Sequence, residues 1–324
     1  MFLSRRGLIV AAALAAATTT GHAQQEYPAR AVTIVVPSAP GGTTDFTARL
    51  LGEHLSRELG QQFVVENAGG GSGNIGNTKV AKAAPDGYTL LLSYSGYHVG
   101  NPHLFKSPGW DPLKSFEPVA LAIKAPHVIL VKKGLPTPDL KSFIAHAKAN
   151  PGKLNYASSG AGSIQHIGSE QLKQAAGIDM THVPYRGAGP AMTDLVAGNV
   201  DLFITTPPSA VGHLQAGNVQ ALALAAKERH PIMPNVPTSA EAGLTGYELV
   251  AWFALYAPAG TPKAIIDKLA AATKRAVETP NFKERATGAG AHAAYMGPAE
   301  LGQFTQSELT FWGEVIKKAN ITAE

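Results

Sequence analysis

The sequence predicts an α/β fold in two lobes with parallel sheets, and three observations predict it. Apolar β-branched runs alternate with helical patterns, 324 residues is the length of about two domains, and two Gly-rich loops of one composition stand far apart in the chain. Val32–Val36 is an unbroken apolar run of the kind a strand shows when both faces are covered. Asp45–Leu59 follows as a helix, because Phe46, Leu50, Leu51 and Leu55 recur at helical spacing. Gln62–Glu66 and Tyr88–Ser93 are the next strands, and His127–Val131 is another. Leu140–Ala149 is helical and leads to the strand Leu154–Ser158, the helix Ser163–Ala176 and the strand His182–Pro184. The helix Gly189–Ala197, the strands Val200–Thr205, Ala221–Ala225 and Trp252–Ala257, and a helix Ala264–Glu278 after Thr261-Pro262 complete the alternation. Ligands of such sheets sit beyond the carboxyl ends of the strands, in the loops leading into helices.

Composition removes whole classes of chemistry. The chain has 27 Lys+Arg, 23 Asp+Glu, 45% hydrophobic residues and no cysteine. Without cysteine there is no thiol nucleophile, disulfide, iron–sulfur cluster or thiolate zinc site. Residues 1–23 have Arg5 and Arg6, an apolar run from Gly7 to Ala17 and a Gly21-His22-Ala23 end, the pattern of a signal peptide cut after Ala23. Ser4-Arg5-Arg6-Gly7-Leu8 leaves the Sec and twin-arginine routes both open. The expected compartment is the periplasm. Losing Arg5 and Arg6 brings the net charge of +4 down to near +2. No basic cluster with interleaved aromatics remains, so no nucleic-acid partner is expected.

The two loops carry the functional reading. Pro37-Ser38-Ala39-Pro40-Gly41-Gly42-Thr43-Thr44-Asp45 follows one strand, and Ser158-Ser159-Gly160-Ala161-Gly162-Ser163-Ile164-Gln165-His166 follows another. Glycine lets backbone come close to a ligand, and a helix N-terminus offers unpaired N–H groups with partial positive charge. Each loop is thus a cradle for an anion. The competing reading is that Thr43, Thr44 or Ser163 caps its own helix. Neither loop has Lys or Arg and no Walker pattern occurs, which favours a carboxylate over a phosphate. Asp45 either complements the helix dipole or orients Gly41-Gly42, and His166, one turn into its helix, is the histidine placed closest to a ligand. Gly71-Ser72-Gly73-Asn74-Ile75-Gly76 imitates a dinucleotide fingerprint, but Pro85-Asp86-Gly87 cuts the helix that must follow. No serine stands in G-x-S-x-G and no metal spacing appears, so the chain reads as a binding protein without catalytic set, cofactor or metal.

Motifs along the chain sharpen this. They include Val36-Pro37-Ser38-Ala39-Pro40-Gly41-Gly42-Thr43-Thr44-Asp45, Gly73-Asn74-Ile75-Gly76, Ala84-Pro85-Asp86-Gly87-Tyr88-Thr89-Leu90-Leu91, Val183-Pro184-Tyr185-Arg186-Gly187, Val236-Pro237-Thr238-Ser239-Ala240-Glu241-Ala242-Gly243 and Ala257-Pro258-Ala259-Gly260-Thr261-Pro262. In this order they resemble the extracytoplasmic solute receptors of tripartite tricarboxylate transporters, the Bug family. The resemblance implies a type II-like periplasmic-binding-protein clamshell with two interlobe crossovers. One lobe would comprise residues 24–125 and 250–324, the other residues 126–249. It also implies a monomer that binds a small carboxylate through Gly42, Thr43, Thr44 and Asp45 from one lobe and Ser159, Ala161, Gly162 and Ser163 from the other. The partners would be the large and small membrane subunits of the transporter.

Departures from the family pattern bear on the far end of the pocket. Thr205 stands where an Asp is usual, which argues against an amino-acid ligand. Tyr94 and Tyr97, in Ser93-Tyr94-Ser95-Gly96-Tyr97-His98, replace small residues and suit a flat acid such as terephthalate, with an aliphatic dicarboxylate close behind. Alternatively these tyrosines face away and pack on Phe105 or Trp110. Ser38, Ser95 and Arg186 complete the expected site, Arg186 either pairing with a distal carboxylate or lying on the lobe surface. A sensor subunit that presents ligand to a signalling partner is an open alternative, and a secreted hydrolase on the same fold a more distant one.

Overall fold

The computed structural model describes residues 26–322; the expected signal peptide lies outside the described residues. Strands β1 (Val32–Val36), β2 (Phe63–Asn67) and β3 (Thr89–Tyr94) pair in parallel, with β1 central. Helices α1 (Thr43–Leu59) and α2 (Asn74–Ala81) connect them. Val32, Ile34, Val35 and Val36 have no exposed surface, as a strand covered on both faces requires. A short turn of wide helix (Gly96–Gly100) and α3 (Asn101–Leu104) lead to β4 (Phe116–Lys132).

The 17-residue β4 links two groups of strands. Its residues Phe116–Pro126 pair antiparallel with β9 (Val250–Pro258), and β9 pairs antiparallel with β3. Its residues His127–Lys132 pair with β7 (Leu202–Thr205) and β8 (Val219–Ala225). Beyond β7 lie β5 (Asn155–Ser158) and β6 (Thr181–Pro184), again parallel. Helices α4 (Leu140–Ala149), α5 (Ile164–Ala176), α6 (Ala188–Ala197) and α7 (Val211–Gln215) belong to this second group. The full order is β2-β1-β3-β9-β4-β7-β5-β6. The fold is a mixed α/β clamshell, and only its two outer thirds are parallel. The expectation of parallel sheets fails at β4, β8 and β9 because a strand that runs on from one group into the other leaves its returning partner antiparallel.

The chain therefore crosses between the groups twice, once through Ala125-Pro126-His127 in β4 and once through Leu249-Val250. The crossings are bonded to each other: His127 N–H donates to Leu249 O at 2.9 Å, and Leu249 N–H donates to Ala225 O at 3.0 Å.

Three elements after β9 extend the first group beyond what the periodicity predicts. α8 (Lys263–Glu278) is expected, but α9 (Pro280–Gly288), β10 (His292–Met296) and α10 (Pro298–Lys318) are not. β10 pairs antiparallel with β4. α10 buries Leu301, Thr305, Trp312 and Ile316, and its Glu308 accepts from Trp252 Nε1 at 2.9 Å and Trp312 Nε1 at 3.2 Å. No helix among the described residues is long and apolar enough to cross a membrane.

Candidate functional site

The carboxyl ends of β1, β3, β5 and β7 converge between the two groups of strands. They enclose a cavity lined by Ser38, Gly42, Thr43 and Thr44 from the first loop, Tyr94 and Tyr97 after β3, and Phe253 of β9. Facing them are Ser159, Gln165, Ala188 and Thr206. No lining residue is charged. The cavity measures about 20 Å³, room for one water molecule, so the two sides are closed upon each other.

The first loop fits an anion by its backbone. Gly42 precedes α1 in extended conformation and no side chain caps the helix, so its leading N–H groups are left for another acceptor. Gly41 has φ of +87°, a left-handed turn that glycine adopts without steric cost. Asp45 holds this turn: its carboxylate accepts from Gly41 N–H at 3.2 Å and Asn67 Nδ2 at 3.0 Å and is bridged by Arg49 at 2.9 Å. With these partners it orients the loop from behind and does not line the cavity. Across the cleft, Thr43 and Thr206 hydroxyls meet at 2.7 Å.

The second loop is arranged differently. Ser163 caps α5, its Oγ accepting from His166 N–H at 3.3 Å, so the capping reading holds at that residue. Ala161 and His166 face a separate polar cavity of about 250 Å³ shared with Glu170, His182 and Asn320. There His166 Nδ1 accepts from Gly162 N–H at 3.1 Å, and the His166 and His182 rings stack 4.1 Å apart. Burial holds His166 below its ordinary pKa and pushes His182 down to about 3, which keeps the stack neutral. Gly162, φ +80°, packs against Leu104.

Three further expected residues lie off the cavity. Ser95 Oγ accepts from Trp252 N–H at 3.3 Å. Thr205 is buried against Ser209 Oγ at 2.8 Å, and its neighbour Thr206 turns to the cleft instead, since successive strand residues face opposite ways. Arg186 is exposed, and its backbone carbonyl, accepting from Ala39 N–H at 3.0 Å, makes the contact between loops.

The tyrosines face the cavity. Tyr94 stacks on Phe253 at 5.7 Å and meets Tyr97 edge-on at 5.0 Å. Burial raises the pKa of both, Tyr97 to about 12, so both hydroxyls remain protonated donors. The imitation dinucleotide motif is a packing device: a Cβ on Gly73 would stand 2.4 Å from the Tyr97 ring, and one on Gly76 would stand 2.7 Å from Pro37. Among the described residues no group of three or more His, Asp or Glu is placed to hold a metal.

Four lining residues escape sequence reasoning. Gln165 lies inside the second loop motif, and Thr206 is one position from the residue singled out. Ala188 and Phe253 carry no local signal.

Residues 47–321 match the model of the TctC family, described as the tripartite tricarboxylate transporter family receptor. The chain belongs to this family. Among solved structures, this TctC-type, Bug-type receptor is similar to the periplasmic binding protein BugD, with 37% identity, TM-score 0.88 and coverage of 91% of this chain and 99% of that one. It is similar to Rpa4515 of R. palustris with adipate, at 36% identity, TM-score 0.89 and coverage of 92% and 99%. MatC of Rhodopseudomonas palustris with bound malate is 40% identical, with TM-score 0.84 and coverage of 90% and 100%.

Proposed function

We propose that this TctC-type receptor captures a small dicarboxylate between its lobes in the periplasm and delivers it to the large and small membrane subunits of a tripartite transporter. The uncapped N-terminus of α1 in a cleft without charged side chains carries this reading. One ligand carboxylate accepts the free N–H groups of α1, with Ser38 and Thr206 hydroxyls beside it, and its body lies against Tyr94, Tyr97 and Phe253. The adipate and malate of the two neighbours favour an aliphatic acid over terephthalate. Residues 24–125 with 250–324 form one lobe and 126–249 the other, a division supported by the change of strand partners at Pro126-His127. Ligand contacts from both sides stabilise the closed form, which is the form a membrane partner would recognise. The receptor acts as a monomer after removal of residues 1–23.

A thermal-shift panel of succinate, malate, adipate, terephthalate, benzoate, citrate and glutamate tests the reading. Dicarboxylates are expected to raise the midpoint, by the equivalent of about 2.7 kcal/mol at a hundredfold excess over Kd. No response to any carboxylate would refute it. Thr206→Val removes the hydroxyl bridge to Thr43, and by calorimetry it is expected to weaken the best ligand about fivefold, one ordinary hydrogen bond of about 1 kcal/mol.

A further inference from the structure

The two cradles are not equivalent, because the second is already filled. Ile164 N–H, at the start of α5, donates to the Tyr94 hydroxyl at 2.9 Å. That hydroxyl donates to Gln165 Oε1 at 2.7 Å, which also accepts from Ser159 Oγ at 2.9 Å. Tyr97 reaches across beside it and donates to Ser159 O at 2.5 Å. Tyr94 stands at the end of β3, whereas Ser159, Ile164 and Gln165 follow β5, so the contact spans the cleft. The Tyr94 side chain is 3% exposed and fixed by its stack on Phe253. An oxygen lone pair of the protein's own thus sits where a Gly-rich loop and a helix N-terminus would otherwise meet an anion.

We propose that Tyr94 determines ligand length in this receptor: its phenol occupies the N-terminus of α5 as a built-in substitute for a carboxylate, leaving the α1 cradle to hold the ligand. The phenol bounds the cleft opposite α1, so a diacid long enough to bring its second carboxylate to α5 must displace the Tyr94 hydroxyl from both of its partners, Ile164 N–H and Gln165 Oε1, a demand that a six-carbon acid meets before a four-carbon one. The proposal rests on the dicarboxylate-receptor reading and adds the residue that selects among dicarboxylates.

Calorimetric titration of the mature protein with succinate and with adipate tests it. Wild type is expected to bind succinate more tightly. Tyr94→Ser, which opens the space and frees Ile164 N–H, is expected to shift the succinate-to-adipate Kd ratio towards adipate by about tenfold, the equivalent of one charge-assisted hydrogen bond. Tyr94→Phe keeps the ring on Phe253 and serves if the serine variant does not fold; removal of the hydroxyl alone is expected to move the ratio the same way by about threefold. A residue with a merely structural role would weaken both acids by one factor and leave the ratio where it was. An unchanged ratio in variants that still bind both acids overturns the proposal alone. Failure of both acids to bind wild type, with the fold intact, overturns the dicarboxylate reading and the proposal with it.

Discussion

Gly189→Ala is expected to weaken ligand binding strongly while the protein stays folded. Gly189 opens α6 on one side of the cleft and faces Pro40 in the first loop on the other. A Cβ there would lie 2.1 Å from the Pro40 carbonyl oxygen and 3.5 Å from Gly41 Cα. Both obstacles are backbone, so no rotamer change relieves the overlap. The two sides can part instead, because the chain passes between them only at the crossings Ala125-Pro126-His127 and Leu249-Val250. The strain, about 1–3 kcal/mol by analogy with overpacked cores, then falls on the closed state. Affinity for the best dicarboxylate is expected to drop by roughly five- to 150-fold, read by calorimetry. The ligand-free melting temperature should hardly change. Gly212→Ala, where an added Cβ meets nothing within 4 Å, is the control and should bind as wild type does. Wild-type affinity in the Gly189 variant would show that binding does not need the sides to meet at α6.

Acid is expected to destabilise the protein well above the usual carboxylate range, with His98 as one principal source. This histidine has no exposed surface and stacks on Tyr256 at 4.3 Å, with Trp110 and Phe116 also against it. Its nitrogens meet Ser93 Oγ at 3.0 Å and Pro112 O at 3.2 Å, neither of them charged. Burial among these rings pushes its pKa down to about 3, and burial likewise pushes His127, at the first crossing, down to about 4. Since the unfolded chain takes up these protons near pH 6.5, acid favours the unfolded state. The stabilisation is complete above pH 6.5, declines as pH falls below it, and is gone once pH reaches the folded values. For His98 alone it amounts to on the order of 5 kcal/mol. Urea unfolding between pH 7.5 and 4.5 should show a steady loss in wild type. His98→Gln should begin lower, through lost ring packing, and decline less steeply; parallel curves would exclude His98 as the source.

What the sequence reveals and what it hides follow from how local each cause is. The α1 and α5 helices and both Gly-rich loops are legible because their determinants lie within a few residues: Leu50, Leu51 and Leu55 on one face of α1, and Gly41, Gly160 and Gly162 with left-handed φ in the turns. The first half of β4 is not, since Pro118 and Pro126 interrupt its pattern. Both are tolerated because Pro118 adjoins an irregularity in the pairing with β9 and Pro126 sits where the strand changes partners. α10 is hidden by its mixed composition and becomes intelligible only once Glu308 is seen between Trp252 and Trp312. In the site, Thr206 could not be separated from Thr205 without knowing which strand face meets the cleft. The position of Tyr94 on α5 joins residues 70 apart, beyond the reach of any spacing rule.

The place of β9 also dictates when the molecule can become whole. β3 has β1 on one side, and on the other only β9, whose partner residues Phe253–Tyr256 come more than 150 positions later. β4 likewise awaits β9 and β10. The strands between, β5 to β8, find all their partners among themselves and β4, so they can assemble while the rest of the chain is still being made. Until Val250–Pro258 emerge, the apolar edge of Leu90, Leu91 and Leu92 stays uncovered and open to wrong pairing. Such distant closure is slow, since the entropy of a long loop must be overcome before any contact rewards it. A nascent chain with this order therefore keeps its first sheet incomplete until β9 and β10 have been synthesised, long after β1 to β3 are available.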